Sequence, residues 1–290
     1  MGKITILGSG SPIATTTRHG SSQTVHVGNE VLMFDCGPAT VYRLPRAGID
    51  PREVGNLFFT HHHFDHDSDY ALMLLSRWNQ GLGKIEDINV YGPTNTEEIT
   101  ERLIGENGAF AFDWNARVHH RLSHKHYEDR GGVMPRTPPS AVVKDIQPGA
   151  VITGKNWEVT TAEGDHVQPF LDSLAYRVDT DDGSVVVTGD TGPCESVETL
   201  AHEADYMIAM CGGFQESQRV GGTDFGQMGT TYAGELAQRA GVKNLVISHV
   251  GDGFGPGGNM EKGIVEISRV FDGNIIYATE LMSIPIQGDA

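Results

Sequence analysis

Short runs rich in Val and Ile, bounded by Gly, Asn and Asp, recur along the chain and predict β-strands. The runs lie at 2–8, 23–27, 30–35, 56–60, 88–92, 157–162, 173–179, 184–189, 206–210, 244–248 and 274–279. Turn residues at 28–30 and at 181–183 separate two pairs of these runs at hairpin spacing. The pattern therefore predicts antiparallel meanders at two separate places.

Apolar positions recur at helical spacing in the stretches between these strands. The predicted helices lie at 67–79, 95–105, 195–203, 230–240 and 260–271, and Gly241 is placed as a C-terminal cap after the fourth. Because helices and strands interleave, we expect an α/β (α+β) protein in which two sheets pack face to face with helices outside them.

The regular pattern fails between about 107 and 149, where aromatic residues, histidines and the Pro-rich run at 134–139 take over. Long loops in compact domains are usually functional or mobile. We therefore expect one domain over 1–290 with an irregular insertion or lid at about 107–149.

The net charge and the cysteine content limit the kinds of binding partner and the cellular compartment that we expect. The formal net charge of −17 means that the average surface repels phosphate backbones, which disfavours nucleic acid and favours a small-molecule substrate. The three cysteines are odd in number and form no CxxC pair, which suits a reducing compartment. No secretory leader or long apolar run is evident, so we expect a cytoplasmic protein without a membrane span.

The strongest chemical signal is the sequence Thr-His-His-His-Phe-Asp-His-Asp at 60–67, directly after a predicted strand. His61 and His63 are two residues apart and face one side of an extended segment, and a turn would bring Asp65 and His66 to the same pocket. Imidazole and carboxylate groups suit Zn, and also Mn, Fe, Ni or Co. The alternative is a solvated, histidine-rich surface loop.

The pattern His61-x-His63-x-Asp65-His66 after a strand resembles the signature of the metallo-β-lactamase fold superfamily, whose fold is a four-layer αββα sandwich. The resemblance continues at 164–166, 185–191 and 245–249, where members place a third His, a bridging Asp and a last His. It implies two divalent metal ions, with zinc the first choice. One ion would be held by His61, His63 and His166, the other by Asp65, His66 and His249, with Asp190 bridging both.

Single residues indicate the branch of the superfamily. His63 in place of Glu argues against the diiron branch, and Asp190 in place of Cys argues against one major class of zinc β-lactamases. The segments 8–12 and 173–177 resemble the branch that contains tRNA 3′-processing endonucleases such as ribonuclease Z, cyclic phosphodiesterases and arylsulfatase-like enzymes.

Two differences from ribonuclease Z argue against an RNA substrate. His166 and Asp190 are too close in sequence for the tRNA-gripping arm of ribonuclease Z, and Met228 stands where those enzymes carry a catalytic His. The Glu partner of that His is also missing, with Met210 near its place. We therefore expect a dinuclear metal-dependent hydrolase that cleaves an ester-type bond of a small molecule (carboxylic ester or lactone, phosphodiester or sulfate ester).

The resemblance implies a metal-bridging hydroxide as nucleophile, with Asp65 and Asp190 as catalytic proton carriers. Two alternatives remain: a ribonuclease Z-like tRNA 3′-processing endonuclease, and a non-catalytic metal-binding sensor or interaction module. Relatives further imply a homodimer. Side chains proposed for the substrate pocket are Phe214, Met228, Phe254, His124 and His126. The alternatives, which are the more common ones, are ordinary core for the aromatic residues and a solvated surface segment for the two histidines.

Overall fold

The computed structural model describes residues 1–254 and 259–288. Its strands, in chain order, are β1 Lys3–Gly8, β2 Ser22–Val27, β3 Glu30–Phe34, β4 Val54–Phe58, β5 Ile88–Gly92, β6 Ala141–Asp145, β7 Val151–Thr153, β8 Trp157–Glu163, β9 Leu174–Thr180, β10 Gly183–Val187, β11 Tyr206–Met210, β12 Asn244–Ser248, β13 Asn274–Tyr277 and β14 Ser283–Pro285. They form two seven-stranded sheets, with strand orders β14-β1-β2-β3-β4-β5-β6 and β13-β12-β11-β10-β9-β8-β7.

The helices within the described residues are mostly short. They are α1 Thr40–Arg46, α2 Phe64–Asp67, α3 Tyr70–Gly81, α4 Thr96–Ile104, α5 Ala111–His119, α6 Arg121–Asp129, α7 Glu195–Leu200, α8 Gln215–Gly221, α9 Thr230–Ala240 and α10 Asn259–Ile267. Turns of 3₁₀ helix lie at Pro51–Glu53 and Asp252–Phe254. None of the helices in the described ranges combines the length and apolar character needed to cross a membrane.

The sheets are sandwiched between helical layers because their strands are apolar on both faces. In β10, Val185 and Val187 point into the core between the sheets, whereas Val186 points into the core beneath α7, α9 and α10. In β3, Phe34 joins the central core and Met33 packs under α1 and α3. This alternation gives four layers, and it confirms the expected αββα sandwich.

Turn chemistry was a reliable guide to the local topology. The strands β2 and β3 pair antiparallel through the turn at Gly28, and β9 and β10 pair antiparallel through the turn that ends at Gly183. Gly241 caps α9 with a φ of 71°, a left-handed conformation that favours glycine. Both predicted hairpins and the predicted cap are confirmed.

The strands that the pattern did not predict all lie at sheet edges. The order of the sheets puts β6 and β14 at the two edges of one sheet and β7 at an edge of the other. Edge strands are often short and partly exposed, so they lack the apolar run that marks an inner strand. The side chains of β6, for example, alternate between half-buried and exposed.

The expectation of irregular structure over 107–149 is wrong for much of that stretch. It contains α5 and α6, which pack against each other, and β6, which pairs parallel with β5. Trp114 and Val118 on α5 form a small apolar cluster with Trp78 of α3. The apolar pattern did not predict α5 and α6, because each buries only one narrow stripe of side chains and exposes the rest.

Candidate metal centre

The histidine-rich segment extends from the end of the inner strand β4. His61 is fully buried, His63 occupies the N-cap position of α2 in an extended conformation, and Asp65 and His66 lie in the single turn of that helix. The helix turns the chain just after His63. The carboxylate of Asp65 and the imidazole of His66 therefore face the same point as His61 and His63. The turn that the sequence predicted after His63 is thus formed.

Three further side chains come from the second sheet, each just beyond the carboxyl end of a strand. His166 follows β8, Asp190 follows β10 and His249 follows β12. The strands β10, β11 and β12 are parallel, and β8 runs in the same direction because it is separated from β10 by the antiparallel β9. Their carboxyl ends therefore meet at one edge of the sandwich, opposite the end of β4.

The seven predicted ligand side chains converge at this edge. Their ligand atoms form three groups that could each hold an ion: His61, His63 and His166; His61, His66 and Asp190; and Asp65, His66 and His249. The first and third groups are the two sets that the family resemblance implied. Asp190 lies between them, with Oδ2 at 3.9 Å from His166 Nε2 and at 3.3 Å from His249 Nε2.

Hydrogen bonds on the far side of two of the rings, those of His166 and His61, orient these histidines toward the centre. His166 Nδ1 donates to the carbonyl of Gly226 at 2.7 Å, and His61 Nδ1 lies 3.0 Å from the hydroxyl of Thr60. In both rings Nε2 is left to face the centre. Anchoring of the second ring nitrogen is a common feature of histidines that bind metals.

Asp35 and Thr60, two polar residues that contact the histidine rings, were not predicted as functional. Asp35 Oδ2 lies 2.7 Å from His66 Nδ1, and its other oxygen accepts hydrogen bonds from the backbone and hydroxyl of Thr60. Asp35 is fully buried and has a φ of 59°, a conformation in which non-glycine residues are uncommon. The available signal was an acidic residue directly after a buried strand.

Burial and neighbouring charges act in opposite directions on the pKa values of Asp190 and His66, whereas burial sets the direction for His61. Burial alone would raise the pKa of Asp190, but the neighbouring His249 and His66 lower it well below the ordinary value. Burial opposes the charged form of His66, yet Asp35 and Asp190 raise its pKa well above the ordinary value. Burial, followed by repulsion from His66, lowers the pKa of His61 well below its ordinary value.

The positions of the donor atoms fit the binding of metal ions. His63 Nδ1 lies 2.9 Å from His61 Nε2 and 3.3 Å from His166 Nε2, so three imidazole nitrogens face one point. Within the described residues, His66 Nε2 and Asp190 Oδ1 are buried without a hydrogen-bond partner, although they face each other at 3.5 Å. Buried polar atoms of this kind need a partner, and a cation supplies one.

The centre opens to solvent on one side. Of its seven side chains, His61, Asp65, His66, His166, Asp190 and His249 are buried, whereas His63 is only half-buried. Of these seven side chains, His63 is therefore the most accessible to solvent.

The five side chains proposed for the substrate pocket lie in or on the core beneath the second sheet, or on α6. Met228 and Phe254 are fully buried in the core beneath the second sheet, and the partly buried Phe214 packs on that core, with its ring centroid 5.4 Å from that of Phe254. His124 contacts the carbonyl of Val118 within the α5–α6 pair, and His126 lies on α6. Of these five residues, none belongs to the groups of described side chains that could hold an ion.

Known proteins match this chain in both sequence and fold. The sequence profile of the family described as Anti-Pycsar protein Apyc1 matches residues 2–80. A protein named ribonuclease Z from Mycobacterium sp. (strain KMS) is 30% identical over 260 residues, which cover 88% of this chain and 86% of that protein. The chain belongs to the ribonuclease Z family of the metallo-β-lactamase fold.

Solved structures support the family assignment at the level of the fold. The metallo-β-lactamase fold protein YhfI from Bacillus subtilis superposes with a TM-score of 0.74 at 20% identity, covering 98% of both chains. The short form of human tRNase Z superposes with a TM-score of 0.68 at 18% identity, covering 98% of this chain and 99% of that one. Membership of the ribonuclease Z family makes this chain a metallo-hydrolase.

Proposed function

We propose that this protein is a metal-dependent phosphodiesterase that acts on small phosphodiesters. The observation that carries the proposal is the convergence of the seven ligand side chains into two groups of three with Asp190 between them. Two divalent ions at this spacing of donors suit displacement at phosphorus. Of the three ester types that the sequence left open, the kinship with ribonuclease Z favours the phosphodiester.

The proposed ion set is two zinc ions, with Mn, Fe, Ni or Co as possible substitutes. His61, His63 and His166 would hold one ion, and Asp65, His66 and His249 the other, with Asp190 as the bridge. When bound, the ions lower the pKa of water and neutralise charge that develops on the phosphoryl oxygens. Nitrogen and oxygen donors in this mixture suit zinc.

The chain's own residues position the reactants and move the proton. Asp35 and Gly226 hold the rings of His66 and His166, so the donors are oriented before the substrate arrives. Asp65 Oδ2 accepts a hydrogen bond from His249 Nε2 at 3.1 Å. Its carboxylate lies at the centre, where it can take the proton from the attacking water and return it to the leaving oxygen.

A second proton donor is missing from the place where the family resemblance puts one. Met228 is fully buried and carries no transferable proton. The thiol of the nearby Cys211 is also buried, and burial raises its pKa to about 12. A phosphodiester whose leaving group is stable as an anion can be cleaved without a proton donor from the protein. The site therefore favours small substrates with such leaving groups.

The second candidate is a precursor-tRNA endonuclease, and the comparisons with ribonuclease Z favour it. Against it stand the net charge of −17 and the segment between His166 and Asp190, which is taken up by one turn and the β9–β10 hairpin. An RNA substrate would need many cationic contacts to its phosphates. The small-phosphodiester reading is therefore preferred, while homodimer formation and cytoplasmic location stay predictions.

The test compares four substrates on one preparation of protein reconstituted with Zn or Mn. We expect turnover of bis(4-nitrophenyl) phosphate, loss of turnover with a chelator, and recovery on adding metal back. Cleavage of precursor tRNA in preference to the diester would favour the second candidate. Turnover of only 4-nitrophenyl acetate or 4-nitrophenyl sulfate would contradict the proposal.

A further inference from the structure

The last of the seven converging side chains belongs to a residue with an unusual backbone conformation. His249 has a φ of 52°, in the left-handed region, where non-glycine residues are uncommon. Such a conformation persists only where the surrounding structure holds the residue in it. The contacts that do so at His249 come from distant parts of the chain.

The segment after His249 is held at two points. The backbone N–H of Val250 donates to the carbonyl of Ser9 at 2.9 Å, and a parallel β-bridge lies beside this bond. The hydroxyl of Tyr277 donates to the carbonyl of Phe254 at 2.5 Å. The first contact joins the two sheets, because Ser9 follows β1 of one sheet and His249 follows β12 of the other.

Ser9 is held in turn by the carboxylate of Glu280, which lies between β13 and β14. Glu280 Oε1 accepts hydrogen bonds from the backbone N–H and the hydroxyl of Ser9, both at 2.9 Å. Its other oxygen forms an ion pair with the guanidinium of Arg43 on α1. The side chains of Arg43 and Glu280 are only 6% and 15% exposed, so solvent screens this pair little.

Arg18 connects the two points at which the segment is held. Its Nη1 donates to the carbonyl of Ala278 at 3.1 Å and to the hydroxyl and carbonyl of Ser9. Its guanidinium lies over the ring of Tyr277, 4.9 Å from the centroid. Arg18 therefore contacts both of the residues that bond to the segment after His249.

We propose that Glu280 and Arg18 are positioning residues that hold His249 at the metal centre by fixing Ser9. The inference rests on the ion set of the proposed function and extends it to side chains that contact neither the ions nor the histidine rings. His249 belongs to one of the two proposed donor sets and not to the other. Loosening of Ser9 should therefore weaken one ion and spare its neighbour, which a general loss of structure would not do.

The main test is a zinc titration followed by calorimetry. We expect Glu280→Ala to weaken one zinc ion about 10- to 100-fold and to leave the other unchanged. The weakened ion should be the one that is lost in His249→Ala. Glu280→Gln keeps an acceptor for Ser9 and should restore most of the affinity. Arg18→Met removes the guanidinium and should weaken the same ion by a smaller factor.

Asp205 provides a matched control at the opposite end of the second sheet. Its Oδ2 accepts hydrogen bonds from the backbone and hydroxyl of Ser184 at 2.8 Å and 3.1 Å, and its Oδ1 pairs with Lys243 at 2.8 Å. These contacts resemble those of Glu280, but Ser184 lies near the amino end of β10. Asp205→Ala should therefore lower the melting temperature without changing either zinc affinity.

Hydrogen exchange measures the same contacts in the metal-free protein. The N–H of Val250 should exchange faster in Glu280→Ala than in the wild type, because its acceptor Ser9 is no longer fixed. Asp205→Ala should leave the exchange of Val250 unchanged. If Glu280→Ala does not fold, the zinc titration and the exchange of Val250 in Arg18→Met decide the proposal.

Either of two results would overturn the positioning role. One is equal weakening of both zinc ions in Glu280→Ala, and the other is exchange of Val250 at the wild-type rate in that variant. Neither readout depends on turnover. A wild-type protein that binds fewer than two zinc ions would instead refute the proposed ion set, and faster exchange of Val250 in Glu280→Ala would still support the hold on His249.

Discussion

Two histidine-rich stretches of this chain, 61–66 and 119–126, have very different structural surroundings. The stretch at 61–66 follows an inner strand, and its side chains meet donors from three strands of the opposite sheet. The stretch at 119–126 lies on α5 and α6, where His120 caps α6 and His124 contacts a backbone carbonyl. Each stretch contains four histidines, so the number of imidazole donors alone does not make a metal site.

The difference lies in what surrounds the rings. Around 61–66, buried partners such as Asp35 and Gly226 fix the rings, and a carboxylate from another strand balances the charge. On α6, most side chains are exposed, and water can satisfy them. Donors that are held together before the ion binds favour a metal site, and of these two stretches the one at 61–66 has them.

The largest expected effect comes from removing the bridging carboxylate. Asp190→Ala should lose at least one equivalent of bound metal and lower kcat/KM by about 100-fold or more, because the donors on both sides lose their common partner. Metal content by elemental analysis and turnover of a diester check this. The double variant His124→Ala/His126→Ala serves as the control, and loss of metal in that variant would contradict the comparison.

A smaller effect is expected from Asp35, which does not face the ions itself. Asp35→Ala frees the ring of His66 and should weaken metal binding by about 10- to 100-fold. Asp35→Asn keeps a hydrogen-bond acceptor and should recover part of the loss. Asp113→Ala, which removes the exposed carboxylate paired with Arg117 on α5, should leave the affinity unchanged. Equal effects of the two alanine variants would show that Asp35 has no positioning role.

Metal binding should depend on pH, and acid should weaken it. The raised pKa values of His66 and His249 mean that both rings hold protons in the metal-free protein to a higher pH than free histidine does. An ion must displace these protons, so the apparent affinity should fall about tenfold per pH unit for each proton released. Calorimetry in buffers of different ionisation enthalpy measures the release. No release at pH 6 would contradict the assignment.

The smallest effect is expected in the helical region and concerns stability alone. The guanidinium of Arg136 stacks over the rings of Trp78 and Tyr127, at 4.1 Å and 4.6 Å from their centroids. Arg136→Ala should lower the free energy of unfolding by about 1–2 kcal/mol. Bound metal should stay at the wild-type amount. Arg117→Ala, in an exposed pair, should cost about 0.5 kcal/mol or less by thermal melting.

The sequence by itself determined the inner strands and the two hairpins. With the family resemblance, it also named the seven residues whose side chains the structure brings together. Inner strands are apolar throughout, and a run of donors directly after one of them is rare enough to be informative. Such signals are local in the chain, which is why a sequence pattern shows them. The edge strands and the exposed helices lack that local signal, and they were missed or taken for irregular structure.

Only the tertiary structure decided how the ligands are held and from which side the centre is open. The contact between Asp35 and His66 spans 31 positions, and that between Gly226 and His166 spans 60. The burial of Met228 and Phe254, which the sequence placed at the pocket, likewise depends on the packing of α9 and α10 beneath the second sheet. The physical reason is that orientation and burial arise between elements distant in sequence, where residue type carries no record of the partner.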